Sequence, residues 1–288
     1  MSTTTESKVS AAIKEFQKLH ENGCFVIPNP WDEGSAKCLQ QLGFKALATT
    51  SAGQAFSLGL PDTITALSRD QVLDHVRDIV NATPLPVNAD FQNGYADDPE
   101  QVAENVKLCI ATGAAGLSIE DATGDEAKPL YERSLAIERI KAAREAIDES
   151  GSDVILTARC EAWLVGDPNA FKTAMDRMVA YADAGADCLF APMVRDPKEI
   201  EAMVKAVVPK PVNVIMSSPI PGLTVQRLAE LGVRRISVGS ALARTAWGAF
   251  LRSAKRIAET GSFDSFSEAA SFAELNEMFT VKALSTSK

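Results

Sequence analysis

Histidine is nearly absent from this chain: His20 and His75 are the only two in 288 residues. Both fall in stretches of helical period, His75 in the middle of SRDQVLDHVRDIV, where a packed or solvated role is the ordinary one. A mechanism that depends on histidine is therefore not expected. The five cysteines, Cys24, Cys38, Cys109, Cys160 and Cys188, are odd in number and form no C-x-x-C pair. They read as free thiols in a reducing compartment and exclude a cysteine-rich zinc site. No apolar run approaches the ~20 residues that span a bilayer. The N-terminal MSTTTESKVSAAIKEF is polar and then amphipathic, without the apolar centre of a secretory signal. A cytoplasmic location is the expectation. Positive charge is also short, 29 Lys and Arg against 38 Asp and Glu. This balance argues against nucleic acid or an anionic membrane as partner.

What is present is alternation. Eight short β-type runs, CFVIPNP, KALATTSA, LPVNAD, GLSIED, VILTARCE, CLFAP, PVNVIM and RRISVGS, are separated by segments of helical period. Helices are expected from about Asp32 to Leu42, from Ser68, over Asp98–Ala111, Ser134–Glu149, Pro168–Ala184, Asp196–Val207 and Thr224–Leu231, and in LARTAWGAFLRSAKRIAET. Ser68 with Gln71 is a capping-box pattern, and Asp98-Pro99 places proline in a first turn. Gly43, Gly113, Gly185 and Gly232 stand where helices close before strands. Eight such units without a composition break predict an α/β chain, a single (β/α)8 barrel domain over 1–288. The main rival, a doubly wound sheet, usually carries a glycine-rich phosphate turn, and no G-x-G-x-x-G or Walker sequence occurs. Residues 1–23 hold an N-terminal helix, over 6–22, that could cover the barrel bottom. Residues 262–288 form a helical extension, with a helix over 264–279. Its Phe263, Phe266, Phe272 and Phe279 pack either on the barrel or on another subunit.

Polar and charged residues end several runs: Asp90, Glu120 and Asp121, Arg159 and Glu161, and Asn213. In a parallel barrel all strand ends converge on one face, so these residues meet in space. Asp90 and Glu120 end consecutive strands and can share a hard cation such as Mg²⁺ or Mn²⁺. The alternative is that Asp90 caps the next segment and Glu120 pairs with Arg159. Arg159 can grip a substrate carboxylate bidentately or form a structural ion pair with Glu120 or Glu161, and the two roles are compatible. Asn213 either donates to a substrate oxygen or is a satisfied interior amide. Thr50, Ser51, Ala52 and Gly53 offer backbone N–H groups to a carboxylate. The long loop QAFSLGLPD carries Asp62 over the mouth. Cys160, beside Arg159, faces away by strand alternation and reads as a buried thiol.

The stretches NPWDEGSAKCLQQLGFKALATTSAG, SLGLPD, VNADFQNGYADDP, GLSIEDATG, TARCEAW, PVNVI and RISVGS, in this order, resemble the isocitrate lyase / phosphoenolpyruvate mutase superfamily over about residues 24–245. The resemblance implies a Mg²⁺-dependent barrel acting on 2-oxo or 2-hydroxy carboxylates through an enolate-like intermediate. By position it implies Asp90 and Glu120 as metal carboxylates and Thr50–Gly53 as the carboxylate-binding loop. Asp62 falls near the reacting group, Arg159 becomes the substrate arginine, and Asn213 a substrate-contacting amide. It also implies a dimer or tetramer that exchanges a C-terminal helix. Three departures stand out. The lyases' K-[KR]-C-G-H loop is replaced by ATGDEAKPLYERSL, without cysteine or histidine. The D-x-D motif reads Asn88-Ala89-Asp90, followed by Gln92 where relatives carry glutamate. A-R-T-D reads Ala158-Arg159-Cys160-Glu161. The expected activity is C–C cleavage of a small oxaloacetate- or malate-like acid, isocitrate itself being disfavoured. The alternatives are phosphonate P–C chemistry and a non-catalytic 2-oxo-acid binder.

Overall fold

The computed structural model describes residues 3–280 of the chain. Eight parallel strands, β1 Phe25–Ile27, β2 Leu47–Ala48, β3 Val87–Asp90, β4 Gly116–Glu120, β5 Ile155–Arg159, β6 Cys188–Phe190, β7 Val212–Ile215 and β8 Arg235–Ser237, pair in sequence order. β8 returns to pair with β1, from Phe25↔Arg235 to Ile27↔Ser237. A single backbone bond, Ala48 N to Pro28 O at 3.1 Å, joins β1 to β2 and completes the ring. The eight runs expected as strands are the strands, and the fold is the expected (β/α)8 barrel.

The helices are α1 Thr3–Glu21, α2 Glu33–Gln41, α3 Ser51–Ser57, α4 Arg69–Ala82, α5 Pro99–Ile110, α6 Arg133–Glu149, α7 Ala170–Asp183, α8 Pro197–Val207, α9 Val225–Glu230, α10 Ala241–Thr260 and α11 Phe272–Phe279. Their ends follow local chemistry. Ser68 and Gln71 form the anticipated reciprocal cap on α4, and Asp98 accepts from Glu100 N and Gln101 N with Pro99 in the first turn of α5. Outward strand residues such as Leu117, Leu156, Leu189 and Val212 are buried beneath the helices. α1 closes the N-terminal end of the barrel. Its Phe16 is fully buried, and a Cβ on Gly116 would lie 2.6 Å from the Phe16 ring, which is why β4 begins with glycine.

Three elements depart from expectation. Residues 51–57, expected as the end of the KALATTSA run and the start of the loop after it, form α3, because Thr50 caps it by accepting from Gly53 N at 3.2 Å. The segment 264–279 is not one helix. A 3₁₀ turn at Asp264–Glu268 gives way to extended backbone at Ala269, and Ser271 with Glu274 caps α11 afresh. The third departure is α10. This 20-residue helix buries only Ala243 and leaves Leu242, Trp247, Phe250 and Leu251 exposed. The eighth helix therefore presents its apolar residues away from its own barrel. α11 lies on α2, where Gln41 Nε2 donates to Met278 O and the Phe279 ring approaches Gly34. Phe272 is 87% exposed, so α11 is covered on one side only. The remainder of the expected extension, 281–288, lies outside the described residues.

The underside of the barrel yields a pH-dependent stability. His20 of α1 is buried and receives Arg235 at its Nε2, 3.3 Å away, while Nδ1 donates to Phe16 O at 2.7 Å. Burial first, and Arg235 second, lower its pKa from 6.5 to about 3. The folded chain thus resists protonation that the unfolded chain accepts. The stability that comes from this histidine is complete above pH 6.5 and is lost as pH falls toward about 3. At pH 5 the loss amounts to about 2 kcal/mol. Urea unfolding of His20→Gln should show a correspondingly smaller fall in stability between pH 7 and pH 5 than the parent. Parallel curves for the two proteins would exclude this assignment.

Candidate active site

The C-terminal ends of β3, β4 and β5 bring Asp90, Glu120 and Arg159 together. Arg159 Nη1 lies 2.7 Å from Glu120 Oε1 and 3.5 Å from Asp90 Oδ1. Its Nε and Nη2 both bond Glu161, Nη2 at 3.2 Å. The register Glu120↔Arg159 explains why strand alternation makes these side chains neighbours. Asp90 is held from β2: Ser51 N and Ser51 Oγ each donate to its Oδ2 at 2.9 Å, and Thr49 Oγ1 accepts from Asp90 N. Asp90 Oδ1 is buried and has no hydrogen-bond partner.

Carboxylates outnumber cations here. Burial raises Glu120 well above the usual carboxylate range, Arg159 opposes, and Glu161, Asp90 and Asp62 add to the rise. Burial likewise pushes Glu161 up to about 7 against the pull of Arg159. Burial alone would lower Arg159, but Glu120, Glu161 and Asp90 outweigh it and keep the guanidinium firmly charged. Asp62 stands exposed on the loop after α3, and partial desolvation and then Asp90 raise its carboxyl.

Thr50, Asp90, Arg159 and Asn213 line one cavity of about 50 Å³ inside the barrel mouth. Ser51 reaches that cluster through Asp90, and Glu120 through Arg159. Gly53 serves close packing, since a Cβ there would sit 2.5 Å from Thr50 Cγ2 and 3.1 Å from Trp31. Ala52 follows Ser51 in the first turn of α3. Asp121 belongs elsewhere. It faces the helices, where it accepts from Glu161 N at 2.8 Å, Arg177 Nη1 at 2.9 Å and Tyr181 at 2.6 Å. It thereby anchors the segment after β5 from behind. Cys160 is the buried thiol that alternation predicts, and burial raises its pKa.

Asn29, Ser118, Phe190, Ile215, Arg235 and Ser237 also line the cavity, although the sequence singled out none of them as a site residue. The signal was period two: Ser118 precedes Glu120 by two positions, and Asn213 precedes Ile215 by two. Asp90 and Arg159 line the cavity from β3 and β5, whereas Ile27, Phe190 and Ile215 of β1, β6 and β7 add apolar surface among the polar Asn213 of β7 and Arg235 and Ser237 of β8. The Phe190 ring lies 5.1 Å from the Arg159 guanidinium carbon.

Donor chemistry suits a hard divalent ion. Asp90 offers a buried oxygen that makes no hydrogen bond, and Glu120 is a crowded carboxylate whose charge a cation would relieve. Among the described residues no group of three His, Cys, Asp or Glu side chains could hold a metal. Two carboxylates with waters is the arrangement that remains, and it is one that Mg²⁺ favours. No helix among the described residues is long and apolar enough to cross a membrane.

Comparison with known proteins agrees with this architecture. The family profile described as phosphoenolpyruvate phosphomutase matches residues 16–258. A solved structure from Burkholderia cenocepacia, provisionally described as a lyase/mutase, is 46% identical, covers 96% of this chain and 98% of its own, and superposes with a TM-score of 0.91. An uncharacterized Mycobacterium tuberculosis protein is 34% identical over 78% of this chain and 81% of its own length. An oxaloacetate decarboxylase from Rhodopseudomonas palustris is 30% identical over 72% of this chain and 70% of its own. The chain belongs to the phosphoenolpyruvate phosphomutase family, within the PEP mutase/isocitrate lyase superfamily.

Proposed function

We propose that this chain is a Mg²⁺- or Mn²⁺-dependent lyase or decarboxylase. It would cleave a C–C bond of a small 2-oxo or 2-hydroxy dicarboxylate through an enolate-like intermediate. The observation that carries this reading is the surplus of buried carboxylate around Arg159, with Asp90 Oδ1 held beside it by charge alone and without a hydrogen bond. Asp90 and Glu120 would hold the ion, partly through waters. When bound, a divalent cation supplies the charge that stabilises an enolate oxygen as the bond breaks. Arg159 exchanges its contacts with Glu120 and Asp90 for the substrate carboxylate, which its planar fork matches. Thr50 to Gly53 approach that carboxylate from β2 and α3. Asp62, on the loop over the mouth and raised by partial burial and then by Asp90, takes the proton-moving role.

The likeness to oxaloacetate decarboxylase supports a small dicarboxylate. The segment between β4 and α6 contains neither cysteine nor histidine, so the acid-base group that isocitrate cleavage uses there is missing. Phosphonate chemistry is the alternative within the same family. It is the second reading because the segment between β4 and α6 carries no recognisable phosphonate signature.

The test is turnover of a panel of 2-oxo and 2-hydroxy diacids with and without Mg²⁺, read together with thermal unfolding. Mg²⁺ or Mn²⁺ should raise the melting temperature of the parent, since an ion that binds the folded state alone stabilises it. Asp90→Ala should abolish both that rise and the turnover. A metal response that survives in Asp90→Ala would remove Asp90 from the site.

Oxalate, an analogue of a 2-oxo-acid enolate, probes Arg159 directly. Arg159→Lys keeps the charge and loses the fork, so oxalate affinity in calorimetry should fall roughly tenfold or more, as for a charge-assisted bond of ~1.5–3 kcal/mol. Parent-like affinity would refute the role.

We also propose a homo-oligomer, a dimer or tetramer that exchanges C-terminal helices. The support is the uncovered apolar face of α10 together with the exposed Phe263, Phe266 and Phe272. A second copy offers self-complementary cover at low cost. Light scattering should report an assembly for the full chain, and truncation after Gly261 should lower its order or cause aggregation. A monodisperse full-length monomer would overturn the proposal.

A further inference from the structure

One strand layer beneath the mouth lies a buried guanidinium that the proposed reaction leaves unused. Arg235, the first residue of β8, is buried, and no carboxylate pairs with it among the described residues. Its acceptors are neutral: Asn213 Oδ1 at 3.0 Å, Thr157 Oγ1 at 3.0 Å and His20 Nε2 at 3.3 Å. A guanidinium only donates, which fixes the orientation of everything it touches. The Asn213 atom that faces Nε must be the oxygen. The amide nitrogen of Asn213 is then the atom 3.0 Å from Ser237 Oγ, and it donates there. Ser237 Oγ is therefore an acceptor on that side. Its own hydroxyl hydrogen has no protein acceptor among the described residues, and Ser237 lines the same cavity as Arg159, Asp90 and Thr50.

We propose that Ser237 is a substrate-binding donor whose O–H points into the cavity toward an anionic oxygen of the bound carboxylate. Arg235 and Asn213 are the positioning residues that set its direction. The chain runs one way, from Arg235 Nε–H to Asn213 Oδ1, from Asn213 Nδ2–H to Ser237 Oγ, and from Ser237 O–H to the ligand. Each donor is polarised by the one before it, beginning at a full positive charge. This explains a buried arginine that would otherwise be only a desolvation cost. It also faces the ligand with a donor from β8, opposite the carboxylate-rich strands, where an anion meets little repulsion. The inference rests on the reading of the cavity as a small-carboxylate site.

Asn213→Asp supplies a decisive test, because the new side chain is of nearly the same size but only accepts. Arg235 gains a counter-ion, and the Ser237 hydrogen turns toward the new carboxylate and away from the cavity. Oxalate binding in the presence of Mg²⁺ would be measured by calorimetry for the full chain, Ser237→Ala, Asn213→Asp and the double variant, with melting temperatures alongside. Ser237→Ala should lose about tenfold in affinity, the loss expected for a bond to a charged group, while remaining folded at a somewhat lower melting temperature because the buried Asn213 amide loses its acceptor. Asn213→Asp should lose at least as much. In the Asn213→Asp background, Ser237→Ala should cost less than about twofold more, since the hydroxyl is already diverted. If the parent binds oxalate and Ser237→Ala binds it equally well, the inference falls while the carboxylate site stands. A full tenfold loss from Ser237→Ala in both backgrounds would disconnect Asn213 from Ser237 and overturn the relay. A parent that binds no oxalate would overturn the site reading and this inference together.

Discussion

The mouth of this barrel is organised around one guanidinium. Arg159 contacts Glu120, Asp90 and Glu161 at once, and Asp62 lies within their field. Such a buried cluster adds little net stability, because desolvation of each charge offsets the attraction. What it fixes is geometry. Side chains from β3, β4 and the end of β5 are pulled to a common point, and the unmatched negative charge there defines what the site can accept. A support layer keeps those strand ends in place. Arg177 and Tyr181 of α7 hold Asp121, which in turn holds the backbone of Glu161. Arg139 of α6, with the Tyr131 ring 3.8 Å away, binds the carbonyl of Ala96 at 2.9 Å and that of Asn93. These contacts tie the loop after β3 to the helix layer.

Below the cluster the barrel interior is unlike the layers of branched aliphatic residues that usually fill this fold. Asn88, Ser118, Thr157, Asn213 and Arg235 take inward positions there. A polar interior requires that almost every donor and acceptor be matched. The directed bonds from Arg235 supply much of that matching, and α1 contributes His20 as a neutral acceptor. The N-terminal helix is thus part of the hydrogen-bonding of the barrel floor as well as a cover for its apolar end.

The family to which the chain belongs includes relatives with different chemistries, and a shared barrel does not choose among them. The choice lies in the groups around the mouth. Here the β3–β5 side is charged, the β6–β1 side mixes apolar Phe190, Ile215 and Ile27 with polar Asn213, Arg235 and Ser237, and the segment after β4 offers no thiol or imidazole. That division favours a small ligand with a carboxylate head at Arg159 and further oxygen toward the donors of β7 and β8.

The sequence by itself determined the barrel, because period-two runs and helical segments in eightfold alternation permit few other folds. It also marked Asp90, Glu120, Arg159 and Asn213, since polar residues that end hydrophobic runs are conspicuous. It misjudged residues 51–57, whose helix depends on the Thr50 cap, and 264–279, where Ser271 and Glu274 start a new helix after a break. It grouped Asp121 with the site, although one step along the chain turns a side chain to the opposite face of a strand. Tertiary structure alone decided three things. It showed that Arg159 spans three carboxylates, a matter of register between β4 and β5. It showed that α10 turns its apolar residues away from the barrel, which an amphipathic pattern cannot reveal because the pattern names a face and not its partner. It joined Arg235, Asn213 and Ser237 in one directed chain, because hydrogen-bond direction arises only when a group that can donate but not accept is placed against one that can do both.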